Sequence, residues 1–248
     1  MRLGVRVGMW LGAALLLTGA VRLPEGTLWR LEGQSLRAHG GLTGAECLTA
    51  ERYGDLDGGG REGVLWLRAG RAGLRSAAGQ ALWVSPPDWQ VRQAALAPVD
   101  GRPGLEAVLL VWRPYRPWPV DAFLPNAGRT AGFHNAEGRS CHVILIGCGA
   151  RGCREVWAGS PLADPLHALA AVDLDGDGRA ELAALEGRYT EAAGQPAWRL
   201  SVWGWEGFGF QLRAAQEGRF GGLRAVRQAG GALGLAVWPE GEARRRIP

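Results

Sequence analysis

The chain contains no lysine, and all 28 of its basic side chains are arginine. Schiff-base catalysis, a lysine general base and a phosphate-binding P-loop are therefore excluded at once. Histidine is scarce as well. The four present, His39, His134, His142 and His167, are scattered, and no Gly-x-Ser-x-Gly elbow, His-Glu-x-x-His helix or dinucleotide fingerprint accompanies them. His142 and His167 lie in or beside apolar strands and read as structural; His134 sits in a long loop and is the one to test for activity. A strong charge imbalance is also missing. The formal net charge of +4 falls to +2 once Arg2 and Arg6 of the first twenty residues are set aside, which gives no footprint for nucleic acid.

Glycine and proline, in contrast, are plentiful at 40 and 14, favouring many turns and short strands over long helices. Hydrophobic residues make up 47% and charged residues 21%, the balance of a globular chain, and 248 residues suffice for one good core. Twelve tryptophans, several in alternating contexts such as Val64–Leu67 and Leu200–Trp205, read as packing between sheets. Residues 1–20 read as an export signal: Arg2 and Arg6, the apolar run Val7–Leu17, and a small-residue cleavage site at Thr18–Ala20. The run is short for a membrane span, so the expectation is an exported protein, secreted, periplasmic or at the cell surface. An uncleaved signal would leave it membrane-anchored.

Four cysteines suit an oxidising compartment. Cys148 and Cys153 flank a four-residue glycine-bearing turn between two apolar runs, close enough across a hairpin to form a disulfide. Cys47 and Cys141 are left as a second bridge or as buried thiols. Their spacing matches no common zinc pattern.

The most specific motif is 171–182. It places carboxylates at Asp173, Asp175, Asp177 and Glu181, with Gly176 and Gly178 between them and apolar runs on both sides. Oxygen donors at alternate positions of a tight, glycine-bearing loop are what a hard cation such as Ca²⁺ requires. An EF-hand is excluded, because the last carboxylate comes at the ninth position and the flanks read as strands. The expected ligands are Asp173, Asp175, Asp177, the Arg179 carbonyl oxygen and Glu181, around one Ca²⁺. Two worn copies precede it. Residues 53–65 keep Asp55 and Asp57, but Gly59 stands in the third place and Glu62 falls one position early. Residues 99–108 keep Asp100 and Glu106 and read as shorter by two residues. Neither is expected to hold calcium.

These loops, with the strand-end pattern Leu200–Phe210, resemble the FG-GAP (VCBS-type) repeats of integrin-like β-propellers, in which an Asp-x-Asp-x-Asp-Gly-x-x-Asp/Glu calcium loop joins the first two strands of a blade. The resemblance implies a propeller and calcium; it implies no reaction. Alternation and turn signals then divide the chain into an all-β domain, 27–238, of four blades of four antiparallel strands: 46–86, 91–158, 167–213, and 220–238 completed by 27–38. The last blade is two strands short in sequence order. The hairpin at 27–37 is therefore expected to pair with 232–238 and close the ring, removing open edges. Residues 239–248 read as a flexible tail.

One insertion, 113–139, is long for this compact pattern, and loops of that kind are functional or disordered. It supplies the ligand-binding candidates Arg113, Tyr115, Arg116, Trp118 and Arg129, residue types enriched at binding hot spots. The resulting expectation is an exported, monomeric, calcium-supported recognition module for an extracellular or envelope protein or glycan, without catalysis. Two alternatives stay open: a carbohydrate-active hydrolase or lyase on the same scaffold, and a purely structural envelope module.

Overall fold

A computed structural model of the protein describes residues 26–48, 52–117, 130–191 and 195–240. The expected signal at 1–20, most of the tail, and the candidates Trp118 and Arg129 lie outside these residues. The fold is all-β and antiparallel. Sixteen strands run β1 Thr27–Glu32, β2 Ser35–Gly41, β3 Glu46–Cys47, β4 Tyr53–Asp55, β5 Glu62–Arg68, β6 Arg71–Ser76, β7 Ala81–Val84, β8 Gln90–Ala97, β9 Glu106–Pro114, β10 Arg139–Gly149, β11 Gly152–Ala158, β12 Leu166–Val172, β13 Glu181–Glu186, β14 Ala197–Trp205, β15 Phe210–Arg227 and β16 Leu233–Pro239. No helix among the described residues is long and apolar enough to cross a membrane.

The strands form three sheets. Two are four-stranded meanders, β4-β5-β6-β7 and β8-β9-β10-β11. The third has eight strands, ordered β12-β13-β14-β15-β16-β1-β2, with β3 added beside β15. Its size comes from one long strand. β15 pairs with β14 from Phe210 to Phe220 and with β16 from Phe220 to Arg227, so it ends one four-stranded unit and begins the next. The sequence reading places two strands and a break there. No break occurs, because Gly218, Gly221 and Gly222 let the strand bend and keep pairing. The start of the expected blade 46–86 falls in two sheets: β3 joins the large sheet through Val226 and Arg227, while β4 begins the first small sheet.

The first and last described strands pair as expected. Thr27, Leu28 and Trp29 of β1 pair with Val237, Ala236 and Leu235 of β16, and β2 then forms the sheet's outer strand.

Apolar faces pack in sequence order. Leu65 and Leu74 of the first sheet meet Val91, Leu109 and Ile146 of the second. The second sheet's other face, Val108, Leu110 and Leu145, packs on Leu182 and Ala184. Val172, Leu185 and Leu200 then meet Leu223 and Leu235 of the fourth unit. The remaining side of that unit, Leu28, Val226 and Trp238, is covered by Leu42, Ala45 and Cys47. Strand β13 is buried throughout and β9 from Glu106 to Val111 because they are central in their units.

The expected disulfide is present. Cys148 and Cys153 sit directly opposite in the β10–β11 hairpin, with Cα atoms 3.9 Å apart. Cys47 and Cys141 are free thiols. Burial pushes the Cys141 thiol up to about 12, which makes it an inert core group.

Candidate functional site

The loop between β12 and β13 is built by its own backbone amides. Asp173 accepts N–H groups from Gly176 at 2.6 Å and Gly178 at 3.0 Å, one on each carboxylate oxygen. Asp175 accepts from the Asp177 amide at 3.2 Å, and Asp177 from the Arg179 amide at 2.7 Å. Gly176 and Gly178 have φ of 83° and 86°, a conformation that glycine adopts without strain. The result gathers three carboxylates: Asp173, Asp175 and Asp177 each offer an oxygen, all within 4.8 Å of one another.

Glu181 lies outside that group. It is buried, and its Oε2 accepts the Leu174 N–H at 2.8 Å. Burial raises its pKa, the charges of the three aspartates add to the rise, and the Leu174 N–H opposes it. Arg179 contributes a guanidinium: its Nη2 lies 2.8 Å from Asp177 Oδ2.

The two worn copies share this framework closely. Pairings Val172↔Glu181, Ala97↔Glu106 and Gly54↔Gly63 each enclose eight residues, so the three loops are equal in length. This corrects the reading of 99–108 as shorter by two. Glu106, which caps the Val99 N–H at 2.8 Å, is the counterpart of Glu181. Asp100 is then the counterpart of Asp175, and Pro98 stands where Asp173 does. The fourth residue of each loop is a glycine of positive φ, Gly58 at 71°, Gly101 at 76° and Gly176 at 83°. The third residue's carboxylate accepts the fifth residue's N–H in all three, Asp57 from Gly59 at 3.0 Å and Asp100 from Arg102 at 2.9 Å.

The loops also stack on one another, at one end of their units. Leu105 N–H donates to the Asp55 carbonyl at 3.0 Å, and Ala180 N–H to the Pro98 carbonyl at 2.7 Å. These are the same two positions of each successive loop pair. A side chain at Gly58 would collide with Pro103, so the contact between the first two loops is close.

The differences fall on the carboxylates. The first loop has Asp55 and Asp57 but Gly59 in the fifth place, and Gly63 in the ninth, where Leu56 fills the space. The second has Pro98 and Arg102 in the first and fifth places, and the Arg102 guanidinium binds Asp100, with Nε at 2.6 Å from Oδ2. Only 173–181 has three aspartates in the set.

Oxygen ligands on opposite sides of Ca²⁺ stand about 4.6–5.2 Å apart, so carboxylate oxygens within 4.8 Å of one another are close enough to share one ion. The donor set is hard oxygen only, and it fits Ca²⁺. A cation on Asp177 would compete with the Arg179 guanidinium for its charge. Glu181 serves the loop's framework first.

The candidates of the long insertion separate. Arg113 is partly buried, 5.9 Å over the Trp89 ring, and burial lowers its pKa. Tyr115 turns inward, 5.0 Å from the His134 ring and 3.3 Å from Thr130 Oγ1. Arg116 points outward and pairs with Asp88 at 3.3 Å. Both ends of the insertion are fastened to the sheet, since Tyr115 N–H bonds the Gly138 carbonyl and Asn135 N–H bonds the Arg139 carbonyl. The insertion leaves β9 at the end opposite Glu106, roughly 26 Å away for eight strand steps. His142 is buried between Ser140 Oγ at 2.8 Å and the Gly159 carbonyl at 2.9 Å, which sets Nδ1 as its protonated nitrogen. His134 bonds the Asn135 carbonyl at 2.9 Å.

One site escaped the sequence reading. A cavity of about 410 Å³ lies between β10–β11 and the β12–β15 unit, walled by aromatic rings and ending at buried Glu186. Its residues come from six separated segments, and no local motif connects them. No protein-family model matches the chain, and no curated protein matches it.

Proposed function

We propose that the protein is an exported recognition module, a small β-propeller of four four-stranded blades in which 173–181 binds one Ca²⁺. The observation that carries the reading is the repeat itself: three loops with a left-handed glycine in the fourth place and the third residue's carboxylate on the fifth residue's amide, stacked in chain order. Pairing of the N-terminal hairpin with β16 and the sequential cores support the four-blade arrangement. The long β15 is then the shared strand of the third and fourth blades. The Cys148–Cys153 disulfide is compatible with export.

In this reading Asp173, Asp175 and Asp177 hold the ion, with the Arg179 carbonyl oxygen as a further donor. Glu181 keeps the Leu174 amide satisfied and adds negative charge behind the set. The ion's contribution is to neutralise three crowded carboxylates and tie β12 to β13, adding stability as its concentration exceeds the Kd. Recognition belongs to the opposite end, around 113–139, where Arg116 is an exposed charge and Trp118 and Arg129 complete the candidate set. The class of partner is an extracellular or envelope protein or a glycan.

The experiment is capture of binding partners from envelope extract and a glycan array, by the wild type and by the triple variant Tyr115→Ala, Arg116→Ala, Trp118→Ala. The triple variant is expected to stay folded and lose the partners that the wild type retains. An unchanged partner set would remove the insertion as the recognition surface.

A further inference from the structure

We infer that the cavity between β10–β11 and β12–β15 is a binding site for an amphipathic organic cation, an ammonium or guanidinium group on an apolar body. The inference is independent of the calcium-loop reading. Trp157, Trp203, Phe210 and Phe133 line the volume of about 410 Å³, and Asp164, Glu186 and Arg199 stand at its polar end.

Two features set the sign of the ligand. The first is charge. Arg199 Nε donates to Glu186 Oε2 at 2.7 Å, and its Nη2 binds the same oxygen. Glu186 Oε1 takes the Ser201 hydroxyl. The guanidinium is thus neutralised by a carboxylate that is itself only 2% exposed. Asp164 lies 3.9 Å from Arg199 Nη2, at the outer limit of an ion pair, with its side chain 30% exposed. Two carboxylates against one guanidinium leave the polar end with a net negative charge, and Asp164 is the group with capacity to spare. An anion would meet Asp164 and find Arg199 already engaged.

The second is the wall. Trp203 Nε1 donates to Ser201 Oγ at 2.8 Å, so its polar handle is satisfied and its π face remains. Trp157 and Phe210 meet edge to face at 5.1 Å and are braced by Trp205 at 5.8 and 5.2 Å, which fixes the ring positions before a ligand arrives. The negative faces of aromatic rings attract a cation, most strongly where water is excluded, and rigid walls reduce the ordering cost of binding.

Calorimetric titration of the folded protein with benzyltrimethylammonium, with its uncharged isostere neopentylbenzene and with phenylacetate tests the inference. The cation is expected to bind, the isostere roughly 10-fold more weakly, in line with a cation–π and charge contribution of about 1–2 kcal/mol, and phenylacetate not at all. Asp164→Asn, a change at a partly exposed site that leaves the core intact, should weaken the cation roughly 3- to 10-fold and leave the isostere unchanged. Trp203→Leu should weaken both. Absence of cation binding, equal affinity for cation and isostere, or a cation affinity unchanged by Asp164→Asn would each overturn the assignment.

Discussion

Loops 173–181 and 98–106 share a backbone and differ in charge. Both span the same register, both turn at a left-handed glycine, and both close on a glutamate that caps the amide of the second residue, Leu174 in one and Val99 in the other. Where the first has Asp173 and Asp177, the second has Pro98 and Arg102, and the Arg102 guanidinium occupies the carboxylate of Asp100. The loop's shape therefore does not depend on a cation. It follows from glycine, from amide-to-carboxylate bonds and from the buried glutamate. The set of carboxylates is a separate layer, in which the two loops share the third residue and differ at the first and fifth. The 55–63 loop separates the layers further. It keeps Asp55 and the shape but has Gly63 in the ninth place, and the Leu56 amide is capped by the Arg61 carbonyl at 2.9 Å instead.

The fourth unit lacks such a loop altogether. Its first two strands meet at a turn in which Gln228 N–H bonds the Ala232 carbonyl, and the unit is completed by the N-terminal hairpin. Removing residues 26–41 should have the largest effect of all, because it exposes the edge of β16 and uncovers Leu28's neighbours Ala236 and Trp238. Size-exclusion chromatography should show aggregates in place of a folded monomer. A monomeric deletion protein with an unchanged Tm would contradict the pairing's role.

Glu106→Ala and Glu181→Ala should each cost about 1–3 kcal/mol in calcium-free denaturant unfolding, since each orphans an amide, buried at Val99 and partly buried at Leu174. Comparable losses would confirm that the glutamate serves the framework in both loops. A loss at 181 that appears only with calcium present would make it a ligand alone.

The pH dependence sharpens the difference. Burial, with the charge of Asp100 adding, raises the Glu106 carboxyl to about 7 against the pull of the Val99 amide. The folded state thus holds a proton that the unfolded chain releases near its ordinary pKa of 4.5, and Glu106 makes stability fall as pH rises from about 4.5 to 7. His142 acts in the opposite sense. Burial, helped by Arg113 and opposed by the Gly159 carbonyl, lowers it to about 4, so its contribution is lost as pH falls from about 6.5 to 4. Urea unfolding of Glu106→Gln, which keeps the carbonyl acceptor, should show stability gaining on wild type as pH rises from about 4.5 to 7 and standing on the order of 1–2 kcal/mol above wild type at pH 8. A variant whose pH profile overlays wild type would remove Glu106 as the source.

Much of this was legible in the sequence. Alternation located nearly every strand, the half-length last unit pointed to the terminal pairing, and the Cys148–Cys153 hairpin followed from its turn. The second loop was misaligned because aspartates, the visible residues, were used to set its register. The buried glutamate sets it, and Pro98 hides the first position. The continuity of β15 was missed because Gly218, Gly221 and Gly222 read as a stop when they permit a bend. The aromatic cavity was invisible because Trp157, Trp203 and Phe210 converge only through the packing of two units, and the contacts of Tyr115 with His134 and Thr130 carry no sequence signal.

Calorimetric titration of Ca²⁺ into the wild type and into Pro98→Asp, Arg102→Asp tests the separation of shape from charge most directly. The wild type should bind one ion, lost in Asp175→Ala, and the double variant should bind two, because it completes in 98–106 the carboxylate set of 173–181 on an unchanged backbone. A wild type that binds no calcium, or a double variant that stays folded and gains no second site, would contradict it.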